Sequence, residues 1–238
     1  MPARIVALFI LGMVLAGCGG SARFEIEFDE AAVSNPVSGP AVRIDAVYDR
    51  RKFVVIHYDP KAPSGEFLYR SVTERWAPGP EDGHSLIDAA DLQRPQAKER
   101  IAGRWYSYWG SPTLEQLLSE GRTVPMVVGD ILANGLRKLG YKVVQKGGAE
   151  YADARALDAA VTYYWFFAVA DGNLRHRITV ELGENWPLKG KDNVATGSGH
   201  TQSIMFMTQD DWQRTFEQGA NSLIADMERI VRPAATAR

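Results

Sequence analysis

Along most of the chain the apolar residues recur at spacings that name secondary structure. From residue 41, Val42, Ile44, Ala46 and Tyr48 alternate with Arg43, Asp45 and Val47, and Asp49-Arg50-Arg51-Lys52 follows. A strand ending in a polar turn is expected there. Phe53 to Tyr58 is a largely apolar run stopped by Asp59-Pro60, and residues 66–72 alternate again, which predicts a hairpin over Pro60 to Gly65. Ser111-Pro112 reads as the cap and first position of a short helix, with Leu114, Leu117 and Leu118 on one face and Gly121 as the stop. Between Val124 and Leu139 the residues Val124, Val128, Ile131, Leu132, Leu136 and Leu139 recur at three and four, so a longer amphipathic helix is predicted, with Gly140 as its left-handed terminator. Tyr141 to Val144 then resumes as a strand.

The second half continues the pattern. Val161 to Val169 is apolar on both faces, as a central strand buried from both sides would be. Asp171-Gly172 turns it, and His176, Ile178, Val180 and Leu182 alternate with Arg175, Arg177, Thr179 and Glu181. Residues 195–206, rich in Gly, Ser and Thr, predict a marginal or edge strand. Thr208 with Asp211 three residues on predicts a capped final helix, whose apolar stripe runs through Trp212, Phe216, Ala220, Leu223, Met227 and Ile230 to a stop at Pro233. These elements specify an α/β fold of the α+β type: a mainly antiparallel sheet with two long amphipathic helices packed on one face.

Residues 73–111 break the pattern. Pro78-Gly79-Pro80, Asp82-Gly83 and Pro95 punctuate a charged stretch, so a long surface excursion is expected, either functional or a disordered insertion. Near its end Trp105, Tyr106, Tyr108 and Trp109 crowd into five positions. On a strand Trp105 and Trp109 would share one face and Tyr106 and Tyr108 the other. One pair can pack on the core, or the segment can form an exposed aromatic patch that binds protein or sugar. The final strand pair raises a different question. If the turn between them centres near Leu188, His176 and His200 lie opposite each other. A histidine pair can bind Zn²⁺, but a structural site takes four ligands and no cysteine or obvious third histidine joins the pair, so no metal and no cofactor are expected.

The amino-terminal end carries the sharpest local signal. Arg4 precedes an apolar stretch from Ile5 to Leu15, then Ala16-Gly17 and the chain's single cysteine, Cys18. The stretch is shorter than the roughly 20 apolar residues that span a bilayer and has the layout of an export signal. Leu15-Ala16-Gly17-Cys18 resembles the lipobox of bacterial lipoproteins. That resemblance implies cleavage before Cys18 and acylation of its thiol, and Gly19 in place of Asp implies sorting to the periplasmic face of the outer membrane. Two or more acyl chains hold a protein stably on a membrane. The organisation expected is a signal at 1–17, an acylated tether at 18–40, one periplasmic domain at 41–232 and a short tail at 233–238. Within the tether, the alternation Phe24-Glu25-Ile26-Glu27-Phe28 is also what a short edge strand shows.

Composition narrows the function. The chain is 45% hydrophobic and 24% charged, with a net charge of −2, so it can bury a core and has no excess of basic residues to neutralise a nucleic acid backbone. Without a second cysteine an oxidising compartment can form no intramolecular disulfide. The Cys-x-x-Cys, His-Glu-x-x-His, Gly-x-Ser-x-Gly and phosphate-loop patterns are absent. Asp49-Arg50-Arg51 after the first strand, Gly129 to Tyr141 as helix, glycine and strand, the antiparallel meander and the long last helix together resemble the YajG-type bacterial lipoproteins. The resemblance covers residues 41–72 and 120–232. It implies a periplasmic accessory or assembly factor that works by binding an envelope protein or itself and has no catalytic residues. The alternative is a cell-wall sugar-binding lipoprotein, or a cell-wall hydrolase, using Trp105, Tyr106, Tyr108 and Trp109.

Overall fold

Strand β1 (Ala41–Asp49) opens the fold and lies parallel to β7 (Arg155–Ala168), the longest strand. In this computed structural model the residues described are 33–36, 38–56, 84–88, 95–106, 112–119, 121–168, 173–202 and 208–234. Between β1 and β7 come β2 (Lys52–Ile56), β3 (His84–Asp88), α1 (Pro95–Arg100), β4 (Ile101–Tyr106), β5 (Pro112–Leu117), α2 (Val124–Lys138) and β6 (Lys142–Val143). After β7 follow β8 (Asn173–Leu182), β9 (Val194–Gln202) and α3 (Gln209–Ile230). The result is a mixed α/β fold rich in antiparallel pairing: β4 with β5, β7 with β8 and β8 with β9 are antiparallel, whereas β1 with β6, β1 with β7 and β4 with β7 are parallel. β2 and β3 form a separate parallel pair.

The register shows how β7 organises the sheet. Its whole second half pairs with β8, while its opposite edge is shared in succession, first by β1 along Arg155 to Val161 and then by β4 along Phe166 to Ala168. β1 leaves the sheet where β4 enters, and Arg51 stands at that junction. Its side chain is fully buried. It grips both oxygens of Asp49 (Nε to Oδ1 2.9 Å, Nη2 to Oδ2 2.8 Å) and donates to the carbonyls of Ile101 (2.6 Å) and Lys98 (2.9 Å). The predicted polar turn at Asp49-Arg50-Arg51 is thus an internal clamp between two strands.

Bulges decide which side chains reach the core. In β7 the register slips between Val161 and Tyr163, so Leu157, Ala159 and Val161 face the main core before the slip and Tyr164 and Phe166 face it afterwards. The other face of β7 carries Tyr163 and Trp165, which pack with Ile101, Phe53 and Phe167 in a second cluster. As the apolar run predicts, both faces are buried. The main core joins these residues to Val128, Ile131 and Leu132 of α2 and to Phe216, Leu223 and Met227 of α3. Burying one such side chain contributes roughly 1.5–3 kcal/mol.

Both long helices follow their local signals. Thr123 caps α2, its hydroxyl accepting from the Met126 amide, and Gly140 at φ +88° ends it while Tyr141 donates back to Leu136. Thr208 and Asp211 form a full capping box on α3.

The differences in secondary structure lie between residues 73 and 119. The described part of the predicted excursion carries β3, α1 and β4, regular elements rather than loop. The helix expected after Ser111 is strand β5, paired along β4 from Leu117 opposite Ile101 to Pro112 opposite Tyr106. A helix of two turns has little stability of its own, and the edge of β4 offers a complete ladder instead. The hairpin expected over Pro60 to Gly65, the turn at Asp171-Gly172 and the strand extension at residues 203–206 lie outside the described residues.

β9 is an edge strand, as expected, and its outer edge is covered. Asp226 of α3 accepts from the Thr196 amide (2.9 Å) and Gln218 accepts from the His200 amide (2.9 Å). Helix and strand approach this closely because Gly197 and Gly199 present no side chain; a Cβ at Gly199 would overlap the Thr215 carbonyl and lie 2.9 Å from the Gly219 amide. Replacing Gly199 with Ala is expected to cost about 1–3 kcal/mol, since backbone must move to admit the methyl. Urea unfolding measures it, and a midpoint equal to the native one would show that α3 is free to lift away.

Candidate partner-binding groove

Among the described residues the neighbouring position beside β1 is only partly filled. β6 pairs with Ala41 and Val42 and then stops, because Gln145 to Gly148 turn the chain away. Among the described residues no strand continues along the outer edge of β1 from Arg43 to Asp49. A bulge at Asp45 shifts the register there, so Val47 takes the side that Val42 and Ile44 occupied before it, facing Gly129 of α2. Helix α2 overhangs this vacancy. Between helix and strand lies a groove of about 420 Å³, bounded by Ile44 to Val47, by Met126, Gly129 and Ala133 on one stripe of α2, and by Val144, Lys146 and Tyr151.

One wall is braced by Arg43, which donates to the carbonyls of Tyr151 (2.6 Å), Ala152 (3.2 Å) and Ala154 (3.0 Å) and lies 4.8 Å from the Tyr151 ring. Lys142 pairs with Glu150 at 2.6 Å on the same turn. At the other end Asn35 binds the backbone of Val143 in both directions, Nδ2 to the carbonyl at 3.1 Å and Oδ1 from the amide at 3.0 Å, and also accepts from Arg137. The two carboxylates in the lining are satisfied by arginines: Asp45 by Arg43 (3.2 Å) and Asp130 by Arg122 (2.5 Å). Lys146 has no such partner among the described residues. Tyr48 and Met126, 50% and 46% exposed, are two of the large apolar side chains left facing water.

The residues singled out from sequence lie elsewhere. Cys18, Tyr108 and Trp109 are outside the described residues. Trp105 and Tyr106 belong to β4, and the Trp105 backbone is paired on both edges, with Ala168 of β7 and Leu114 of β5. The histidine pair that a turn centred near Leu188 would bring together does not form. His176 stands opposite Gly199 and His200 opposite Arg175, one residue out of the expected register. Since adjacent residues of a strand point to opposite faces, this slip buries His176 and exposes His200. His176 is instead held in an aromatic cage, stacked on Phe166 at 3.8 Å with Tyr164 edge-on at 4.8 Å and Phe216 at 5.8 Å. Neither ring nitrogen nor the Tyr164 hydroxyl has a hydrogen-bond partner, and burial pushes the imidazole down to about 3 and the phenol above its ordinary range.

Among the described residues no group of three or more His, Cys, Asp or Glu is placed to hold a metal ion, and no helix is long and apolar enough to cross a membrane. The groove escaped sequence reasoning because it is a missing strand position. Its one sequence signal is how soon Gln145-Lys146-Gly147-Gly148 cuts off the strand that starts at Lys142.

Neither a family model nor a curated protein matches this sequence. Among solved structures the chain is similar to an uncharacterized protein at 10% identity and a TM-score of 0.35, covering 89% of this chain and 98% of the other. It is also similar to the PelC dodecamer from Paraburkholderia phytofirmans at 20% identity and a TM-score of 0.27, covering 56% of this chain and 84% of the other. A variant of that dodecamer gives 17% identity and a TM-score of 0.27, covering 83% and 96%. Likenesses this distant decide neither the fold nor the function of the chain.

Proposed function

We propose that the protein is a lipid-anchored periplasmic lipoprotein of the YajG type, held on the outer membrane through Cys18, and that it works without catalysis as an accessory or assembly factor by binding an envelope protein. The observation that carries the reading is the groove beside β1. It combines a strand edge left open among the described residues, an apolar floor and the exposed Met126, features suited to holding another chain. By contrast the opposite sheet edge, β9, is covered by side chains of α3. The finer architecture we infer places α2 and α3 on one face of the sheet. Support comes from Gly135 of α2, whose missing side chain makes room for Met227 of α3, and from the core that the two helices share.

Two measurements test the proposal. Palmitate labelling should mark the native chain, and Cys18→Ala should abolish the label and leave an uncleaved precursor; labelling that persists in the variant would remove the anchor. Crosslinking in intact envelopes followed by mass spectrometry should recover a stoichiometric protein neighbour. Recovery of cell-wall glycan alone would replace protein binding with sugar binding.

A further inference from the structure

We propose that the strand position beside β1 beyond β6, unpaired among the described residues, is the docking site for an extended segment of the partner protein, one that alternates apolar and acidic side chains. This rests on the protein-binding reading above and specifies its mode. β6 fills the place beside β1 for two residues, after which the outer edge of β1 runs on to Asp49 with no strand among the described residues to pair it. The opening runs over the seven residues from Arg43 to Asp49, or roughly 23 Å at the rise of a strand. That length suits a short added strand. On its outer edge Val42 still accepts from Val144, while the inner edge of β1 is paired with β7 from Val42 to Asp49. Beyond Val42 the alternate backbone groups of β1 that point outward meet no strand among the described residues.

The chemistry of the occupant follows from the lining. Alternate side chains of an added strand would turn inward, against the apolar floor of Val47, Met126 and Ala133 under α2. The turn that carries Lys146 borders the same groove. Because Asp45 and Asp130 are already paired with Arg43 and Arg122 while Lys146 is not, the charge still to be matched is positive. An acidic side chain in the partner matches it. An unpaired edge is otherwise an aggregation hazard, and β9 of this same sheet is protected from it by Asp226 and Gln218.

The test uses the full mature lipoprotein in detergent micelles and a labelled synthetic peptide alternating Val and Glu. Fluorescence anisotropy should give saturable binding, weakened at least about tenfold when alternate peptide nitrogens are methylated, since each methyl removes a ladder hydrogen bond. Lys146→Glu and Met126→Glu should each weaken it several-fold, and a Val-Lys peptide should bind more weakly than Val-Glu. Hydrogen exchange should slow over residues 43–49 when the peptide is added. Absence of saturable binding, equal binding of the methylated peptide, or protection elsewhere would each overturn the proposal. So would protection of 43–49 already complete in the free monomer, which would identify the chain's own segment as occupant, or protection that appears only on self-association. A photo-crosslinker at Tyr48 and Met126 in envelopes separates this proposal from the broader reading. Adducts formed only from other surfaces overturn strand docking and leave protein binding standing, whereas no adduct from any surface removes both.

Discussion

Replacing Arg51 with Ala is expected to lower stability by about 3–5 kcal/mol, the usual consequence of removing one partner from a buried ion pair. The side chain is wholly buried, and it makes four hydrogen bonds to three acceptors: the Asp49 carboxylate, the Ile101 carbonyl and the Lys98 carbonyl. Without it Asp49, 12% exposed at its side chain, keeps a charge with no counterion beside it, and the joint between β1 and β4 loses its clamp. For a chain of this size the change corresponds to roughly 6–20 °C in Tm. Arg51→Lys is expected to recover only part of the loss, because an ammonium cannot bind both carboxylate oxygens and two diverging carbonyls at once. Removing both charges with Asp49→Leu and Arg51→Met should cost less than Arg51→Ala alone, as it leaves no buried charge unpaired. Chemical denaturation of the native chain and the three variants measures these losses. A loss below about 1 kcal/mol for Arg51→Ala would show that strand pairing alone holds the junction.

The second large effect is a loss of stability in acid caused by His176. Its folded-state value lies near 3 and its ordinary value is 6.5, so above about pH 6.5 the ring is neutral in folded and unfolded chains alike and contributes no pH dependence. As the pH falls from there toward 3, the unfolded chain takes up a proton that the folded chain refuses, and stability drops by about 1.4 kcal/mol per pH unit. By about pH 4 the loss is roughly 3 kcal/mol. Asp192 and Asp211, both held below the usual carboxylate range chiefly by backbone hydrogen bonds, add their own acid sensitivity lower on the scale. His176→Phe separates the contributions. A neutral ring of similar shape should keep the stack on Phe166 and relieve two unpartnered nitrogens, giving urea midpoints that change far less between about pH 6.5 and 4 than those of the native chain. Parallel pH profiles for the two proteins would refute the assignment.

Several elements were legible from the order of residues alone. The α2 and α3 helices, with the cap at Thr208 and the terminator Gly140, are set by contacts within a few positions, so periodicity and local hydrogen bonding suffice to place them. The same holds for β8, where each inward residue from Leu174 to Leu182 is buried. What sequence could not reveal was anything that depends on a second strand. Whether Pro112 to Leu117 becomes helix or strand is settled by the free edge of β4. Whether His176 faces His200 is settled by a register one residue away from the expected one. Likewise the polar turn at Asp49-Arg50-Arg51 becomes an internal clamp only because β4 arrives beside it. The groove is the extreme case: it consists of the place where a strand stops, and no residue type marks an absent neighbour. Amino-acid order determined the local periodicities and the caps, since these are interactions between residues close along the chain. Only the tertiary structure decided pairing, register and vacancy, because each is a relation between segments that the chain brings together from a distance.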